Sequence, residues 1–127
     1  MTLCARLLVI ASVAAMAACG TSGAPAQAPA AESSEIPIGL AEYMITVPQL
    51  LARPGSLALQ VTNAGATAHN LEVRQGAQVL GTTRTLHPGE AQRLTVTVTS
   101  LGGNLRLLCT LPGHDVAGMS TKLSIGR

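Results

Sequence analysis

At 127 residues the chain has the length of one domain, with room for a modest core once any targeting segment is set aside. Hydrophobic residues make up 47% of it, yet it contains one Tyr and no Phe or Trp, so its core must be aliphatic. The formal net charge is +2, and the Lys and Arg residues are scattered singly. Nucleic-acid binding needs a clustered basic face, so this charge pattern excludes that class of partner.

The chain begins with a segment typical of export. Residues 1–18 carry Arg6 and then an apolar run that is too short for a membrane span and is typical of a signal peptide. The run ends in Met-Ala-Ala-Cys19-Gly, which resembles a bacterial lipobox, whose Cys is acylated and becomes the new N-terminus. Residues 19–35 are small, polar and Pro-containing, and they predict a flexible tether. The alternative is an ordinary secretory peptide that leaves Cys19 as a plain thiol.

Residues 36–127 carry the hydrophobic pattern of short β-strands. Apolar and polar residues alternate with the period of two that is typical of half-buried strands. The clearest case is Arg93–Thr99, where Leu94, Val96 and Val98 share one face. Turns containing Gly or Pro separate these segments, and none of them has helical periodicity. The pattern predicts an all-β domain, a β-sandwich of about seven strands.

The stretch from Cys109 to Met119 offers a thiolate, the imidazole of His114 and a thioether, each separated from the next by four residues. Two turn-forming elements, Pro112–Gly113 and Gly118, let the chain fold back so that all three side chains can face one point. Sulfur ligands favour copper, imidazole suits it too, and a blue-copper site consists of two His, one Cys and a weak axial Met. The second His must come from elsewhere in the chain.

Two other histidines are available to complete the set. His69 lies on the inward face of its predicted strand, whereas His87 precedes a Pro-Gly turn, where an exposed His is ordinary. Taken singly, His69 could be a buried structural residue and Met119 a core filler. Those explanations leave the regular spacing of the loop as a coincidence. They also leave Cys109 without a function, since no disulfide partner for it is evident.

Three stretches resemble the cupredoxins, the small type 1 (blue) copper proteins of the plastocyanin, azurin and auracyanin kind. The first is Asn63–Leu71, which carries the His69-Asn70 pair, and the second is the Leu-x-Pro-Gly-Glu turn of Leu86–Glu90. The third is Cys109–Met119, whose Cys-x4-His-x4-Met spacing is closest to that of the auracyanin-like members. The resemblance covers essentially the whole of the predicted domain and implies a cupredoxin-like Greek-key β-sandwich.

The resemblance also implies a ligand set for one type 1 copper ion. His69, Cys109 and His114 would form the trigonal set, and Met119 would be the weak axial ligand. Asn70 would hydrogen-bond near the thiolate and hold the two ligand loops together. The edge of His114 would serve as the electron port. Four apolar residues that flank this port could form a small docking patch: Leu111, Pro112, Val116 and Ala117.

The implied function is one-electron transfer between Cu(I) and Cu(II) outside the cytoplasm. The protein would act as a monomer, held by the lipid on Cys19 at the periplasmic or cell-surface side of the bacterial cell membrane. Its partners would be redox proteins, although the family's acidic docking patch and its Phe residues beneath the site have no counterpart here.

Two other functions compete with electron transfer. A copper carrier or buffer in the cell envelope is the alternative. Such proteins tend to be rich in Met and His, whereas this chain has only Met44 and Met119 beyond the signal segment. A copper enzyme needs further His-ligated copper, and His87 alone cannot build a second centre. We therefore expect no enzymatic activity.

Overall fold

The computed structural model of the chain describes residues 35–100 and 102–126. The predicted signal segment (residues 1–18), the predicted lipidation site Cys19 and all of the predicted tether except Glu35 lie outside these residues. In the described part every regular element is a β-strand, and no helix there is long and apolar enough to cross a membrane.

Eight β-strands form in this part of the chain, where the sequence predicted about seven. Several follow turns that contain Gly or Pro, and most carry the aliphatic and β-branched residues that fit a pleated, half-buried surface. The strands are β1 (Ile36–Ala41), β2 (Met44–Thr46), β3 (Gly55–Asn63), β4 (Glu72–Gln75), β5 (Gln78–Thr82), β6 (Ala91–Val98), β7 (Asn104–Leu108) and β8 (Ser120–Ser124).

The strands form two four-stranded sheets, in the orders β2-β1-β3-β6 and β5-β4-β7-β8. Strand β1 runs parallel to β3, and all the other pairs are antiparallel. The chain passes from one sheet to the other after β3, after β5 and after β6. These crossings are those of a Greek-key sandwich, and the predicted all-β sandwich is therefore confirmed.

The core is formed by aliphatic side chains from both sheets, as the composition required. In β1, the alternating residues Ile36, Ile38 and Leu40 are buried, and in β7 Leu105 and Leu107 are fully buried. Each such side chain contributes roughly 1.5–3 kcal/mol relative to leaving it in water. Among the described residues, no buried side-chain nitrogen or oxygen lacks a hydrogen-bond partner. The sandwich thus supports its loops with an apolar core in which the buried polar side-chain atoms are hydrogen-bonded.

The pairing of β4 with β7 determines which loops meet. Glu72, the first residue of β4, lies opposite Leu108, the last residue of β7. Because the two strands are antiparallel, the chain just before β4 runs beside the chain just after β7. His69 and Cys109 therefore lie at the same end of the second sheet.

Asn63, the last residue of β3, holds the loop that leads to His69. Its side chain is fully buried. Its Nδ2 donates to the carbonyl oxygens of Thr67 at 2.8 Å and Leu86 at 2.9 Å. Its Oδ1 accepts a hydrogen bond from the N–H of Gly65 at 2.9 Å. One amide side chain thus fixes residues 64–68 against the core.

We expect Asn63→Ala to lower the free energy of unfolding by about 1–3 kcal/mol, because two backbone carbonyls lose a buried donor. Urea unfolding of the metal-free full chain measures the effect. Asn104→Ala is the matched control, since Asn104 is exposed and its Oδ1 accepts only the Ser124 hydroxyl. Its change should stay within about 0.5 kcal/mol. Equal losses in the two variants would contradict this role of Asn63.

Candidate metal centre

His69 is held inside the protein by the backbone on both sides of its peptide unit. Its N–H donates to the carbonyl of Leu86 at 3.0 Å, and its own carbonyl accepts the N–H of Leu86 at 2.7 Å. The residue is fully buried. This isolated antiparallel bridge ties the ligand segment to the chain before β6 and leaves the imidazole little freedom to move.

The loop between β7 and β8 is folded back on itself by its own backbone. The Cys109 N–H donates to the carbonyl of Met119 at 3.1 Å, and the Met119 N–H donates to the carbonyl of His114 at 3.0 Å. Gly113 and Gly118 adopt φ values of 85° and 96°, which side-chain-bearing residues rarely adopt. The turns predicted at these two glycines are present, and they bring Met119 back beside Cys109.

Three of the predicted ligands meet at one point. The Nδ1 atoms of His69 and His114 are 3.1 Å apart, and the Sγ of Cys109 is 3.5 Å from Nδ1 of His114. All three donor atoms lie within 4.8 Å of one another. Met119, at the end of the same loop, is fully buried. In the described part of the chain, His69, Cys109 and His114 form the group of His, Cys and acidic residues whose donor atoms lie close enough to hold a metal ion.

The chemistry of these donors fits a copper ion. Two imidazole nitrogens and a thiol converge at one point, with His69 and Cys109 buried and His114 partly exposed, and each can offer a lone pair to a metal ion. Cys109 is a buried free thiol, so it is not consumed by a disulfide. A set of two His, one Cys and a Met matches copper, since zinc makes little use of thioether sulfur.

Asn70 links the two ligand segments. Its Nδ2 donates to Oγ1 of Thr110 at 2.7 Å, and its Oδ1 accepts the N–H of Thr110 at 2.8 Å. The residue after the first predicted His ligand is thus paired with the residue after the Cys. Sequence analysis did not identify Thr110, because a threonine in a loop carries no local signal of such a pairing.

Glu42 is a second neighbour of the site that sequence analysis missed. It lies in the turn between β1 and β2, and its Oε1 is 3.2 Å from Nε2 of His69. The same oxygen accepts the Thr67 hydroxyl at 2.8 Å, the Thr67 N–H at 2.6 Å and the Ala66 N–H at 2.8 Å. The hydrogen bonds from the Thr67 hydroxyl and N–H lower the pKa of Glu42 to about 2, so it is ionised at neutral pH.

His114 is the partly exposed member of the cluster. The ring of Tyr43, itself half exposed, packs edge-on against it with centroids 5.2 Å apart. Among the four predicted patch residues, Pro112, Val116 and Ala117 are exposed, whereas Leu111 is partly buried against the core. His87, the histidine assigned to the surface from the sequence, is exposed and lies outside the cluster.

Comparison with known proteins identifies the fold. No protein-family model matches the chain, and no curated protein does. Solved structures do match it. Auracyanin from Roseiflexus castenholzii is 18% identical, with a TM-score of 0.62 over 72% of this chain and 95% of that one. Auracyanin A from Chloroflexus aurantiacus, a "blue" copper protein, is 18% identical, with a TM-score of 0.61 over 72% and 98%.

A copper-containing nitrite reductase from Thermus scotoductus also matches, at 16% identity and a TM-score of 0.52. The match covers 73% of this chain but only 22% of the reductase. These likenesses show that the described part of the chain has the cupredoxin fold, and the predicted fold class is confirmed.

We expect Asn70→Ala to lower the free energy of unfolding by about 1–3 kcal/mol, because Thr110 then loses both the donor and the acceptor that face it. Chemical unfolding of the metal-free chain measures the loss. Thr110→Val serves as the comparison, since it removes the hydroxyl acceptor and keeps the backbone N–H bond to Asn70. Its loss should be the smaller of the two, and the reverse order would argue against Asn70 as the link.

Proposed function

We propose that the protein binds one copper ion and transfers single electrons. His69, Cys109 and His114 would hold the ion, and Met119 would be a weaker fourth ligand. The observation that carries this proposal is the convergence of one nitrogen from each imidazole and the Sγ of Cys109 within 4.8 Å. The fold shared with auracyanin A, a "blue" copper protein, supports it.

The surroundings of the donors favour electron transfer because they resist rearrangement. Backbone hydrogen bonds close the loop from Cys109 to Met119, and the Asn70–Thr110 pair holds that loop against the segment of His69. A bound copper ion would supply the one-electron chemistry by alternating between Cu(I) and Cu(II). Since the donors are held in place, little reorganisation would accompany each electron, and hydrogen bonds around Cys109 would tune the potential.

His114 is the proposed port for the electron. Its ring is partly exposed, while the other two donors are fully buried. Pro112, Val116 and Ala117 belong to the same loop and are exposed apolar residues. A small apolar contact of this kind suits a weak, transient partner. One electron would enter from a reduced partner protein and leave to an oxidised one by this route.

Location and partners are proposed from the sequence alone. We propose that the protein works outside the cytoplasm as a monomer, anchored to the bacterial cell membrane through Cys19. The export pattern of residues 1–18 and the polar stretch 19–35 support this. We also propose that it is a carrier of electrons and not an enzyme. Two of its three histidines lie in the cluster, and His87 is exposed away from it.

Loading the full chain with Cu(II) should give an intensely blue protein, because the thiolate of Cys109 would transfer charge to the ion. Absorption and EPR spectra measure this. Cys109→Ser should abolish the colour, whereas His87→Ala should leave the spectrum unchanged. A colourless Cu(II) adduct of the wild-type chain would falsify the assignment. A site that holds only Cu(I), without reversible oxidation, would favour the copper carrier or buffer instead.

Replacing Met119 by Leu should retain copper and raise the reduction potential, because a weak donor to the oxidised ion is removed. A rise on the order of 59 mV corresponds to a tenfold change in the equilibrium constant of a one-electron reduction. Cyclic voltammetry measures the potential. Met44→Leu is the matched control, since Met44 is exposed on β2 and should have no influence. Loss of copper from Met119→Leu would show that Met119 is essential to the structure of the site.

A further inference from the structure

The turn between β1 and β2 places a carboxylate against the outer side of the His69 ring. Strand β1 runs parallel to β3, with Leu40 opposite Asn63, so the chain after β1 lies beside the chain after β3. The Ala64 N–H donates to the carbonyl of Leu40 at 2.9 Å and continues this pairing beyond the strands. As a result Glu42 reaches His69, which is 27 residues away in the sequence.

The hydrogen bonds around Glu42 define which nitrogen of His69 carries the proton. Oε1 of Glu42 accepts two backbone N–H groups, from Ala66 and Thr67, so this oxygen is an acceptor. Its contact with Nε2 of His69, at 3.2 Å, therefore needs a proton on Nε2. In a neutral imidazole this leaves Nδ1 with a free lone pair. Nδ1 is the atom that faces His114 and Cys109.

Gly65 independently supports the contact between Glu42 and His69, because its lack of a side chain leaves room for the Glu42 carboxylate. A Cβ at residue 65 would lie 2.8 Å from both carboxylate oxygens of Glu42. No such atom could be accommodated without moving the Glu42 side chain. The absence of a side chain at Gly65 is thus what lets the carboxylate reach His69.

We propose that Glu42 is a positioning residue of the copper site, which holds His69 with Nδ1 directed at the metal and lowers the reduction potential. The proposal rests on the proposed function. A carboxylate that accepts a hydrogen bond from a ligating imidazole fixes its tautomer and raises its basicity. The negative charge also favours the oxidised, more highly charged ion. The Glu42 side chain is 32% exposed, so solvent screens part of this effect.

Two variants test the charge of Glu42 and its contact with His69. Glu42→Gln keeps the size of the side chain and an oxygen acceptor, and it removes the charge. Gly65→Ala keeps the charge and displaces the carboxylate from His69. Glu35→Gln is the charge control: Glu35 pairs with Arg93 beyond the opposite end of β1. Seven residues of extended chain place it roughly 23 Å from Glu42.

With copper bound to the full chain, we expect Glu42→Gln and Gly65→Ala to raise the potential. The expected change is about tenfold in favour of the reduced form, which is 59 mV for one electron. Glu35→Gln should match the wild-type chain. The blue absorption band should persist in all of these proteins, because none of the substitutions removes a proposed ligand. Equal potentials for Glu42→Gln and Glu35→Gln overturn the proposal.

The metal-free chain provides a readout that does not depend on copper. In this form of the protein, ¹⁵N NMR reports which ring nitrogen of an imidazole carries the proton. We expect the proton of His69 on Nε2 in the wild-type chain, and a shift towards Nδ1 in Gly65→Ala. A wild-type proton on Nδ1 overturns the role of Glu42. Failure of the proposed function would instead appear as a wild-type chain without a blue Cu(II) centre.

Discussion

The antiparallel pairing of β4 with β7 is the constraint on which the rest of the site depends. It sets Glu72 opposite Leu108, and the segments that continue beyond these residues must then run side by side. The Asn70–Thr110 hydrogen bonds extend the contact by side chains where the ladder ends. A shift of this register by one residue would turn His69 or Cys109 to the opposite face of the sheet. The core prevents such a shift, because it would expose Leu105 and Leu107 to water.

The sheet that contains β1 and β2 contributes residues that contact the two imidazoles of the site. A single turn, between β1 and β2, places Glu42 against His69 and Tyr43 against His114. His69 and His114 come from different parts of the chain, yet the residues that contact them, Glu42 and Tyr43, are adjacent in the sequence. This turn is held in place because Glu42 also accepts hydrogen bonds from the loop before His69. Both halves of the sandwich therefore take part in holding the donors, although all the proposed ligands belong to segments that border the second sheet.

The aliphatic core is compatible with this arrangement even though it contains no Phe or Trp. The largest fully buried side chains of the described part are Ile, Leu, Met and His, and buried polar groups there are satisfied by hydrogen bonds. Asn63 and Asn70 are examples: each is buried, and each connects loops instead of strands. Order at the site thus depends on polar links between loops as well as on apolar packing beneath them.

Much of the fold follows from local sequence patterns. Alternation with a period of two indicates strands, and turns with Gly and Pro separate them, so a β-sandwich was predictable with only the number of strands slightly low. Residue chemistry in one short loop likewise indicated donors suited to copper at Cys109, His114 and Met119, because these residues lie close in sequence. The resemblance to cupredoxins supplied His69 and Asn70. The ligand set itself stays a prediction.

The groups that support those donors became visible only in the folded structure. Glu42, Thr67 and Thr110 carry no signal in the sequence, since each acts through a residue that is distant in the chain or through ordinary loop polarity. Their roles depend on strand register, which brings the end of β1 beside the end of β3 and the start of β4 beside the end of β7. Local sequence patterns indicated the donor types and the sandwich that carries them. Long-range strand pairing determined which nitrogen of His69 faces the other donors and which carboxylate lies behind it.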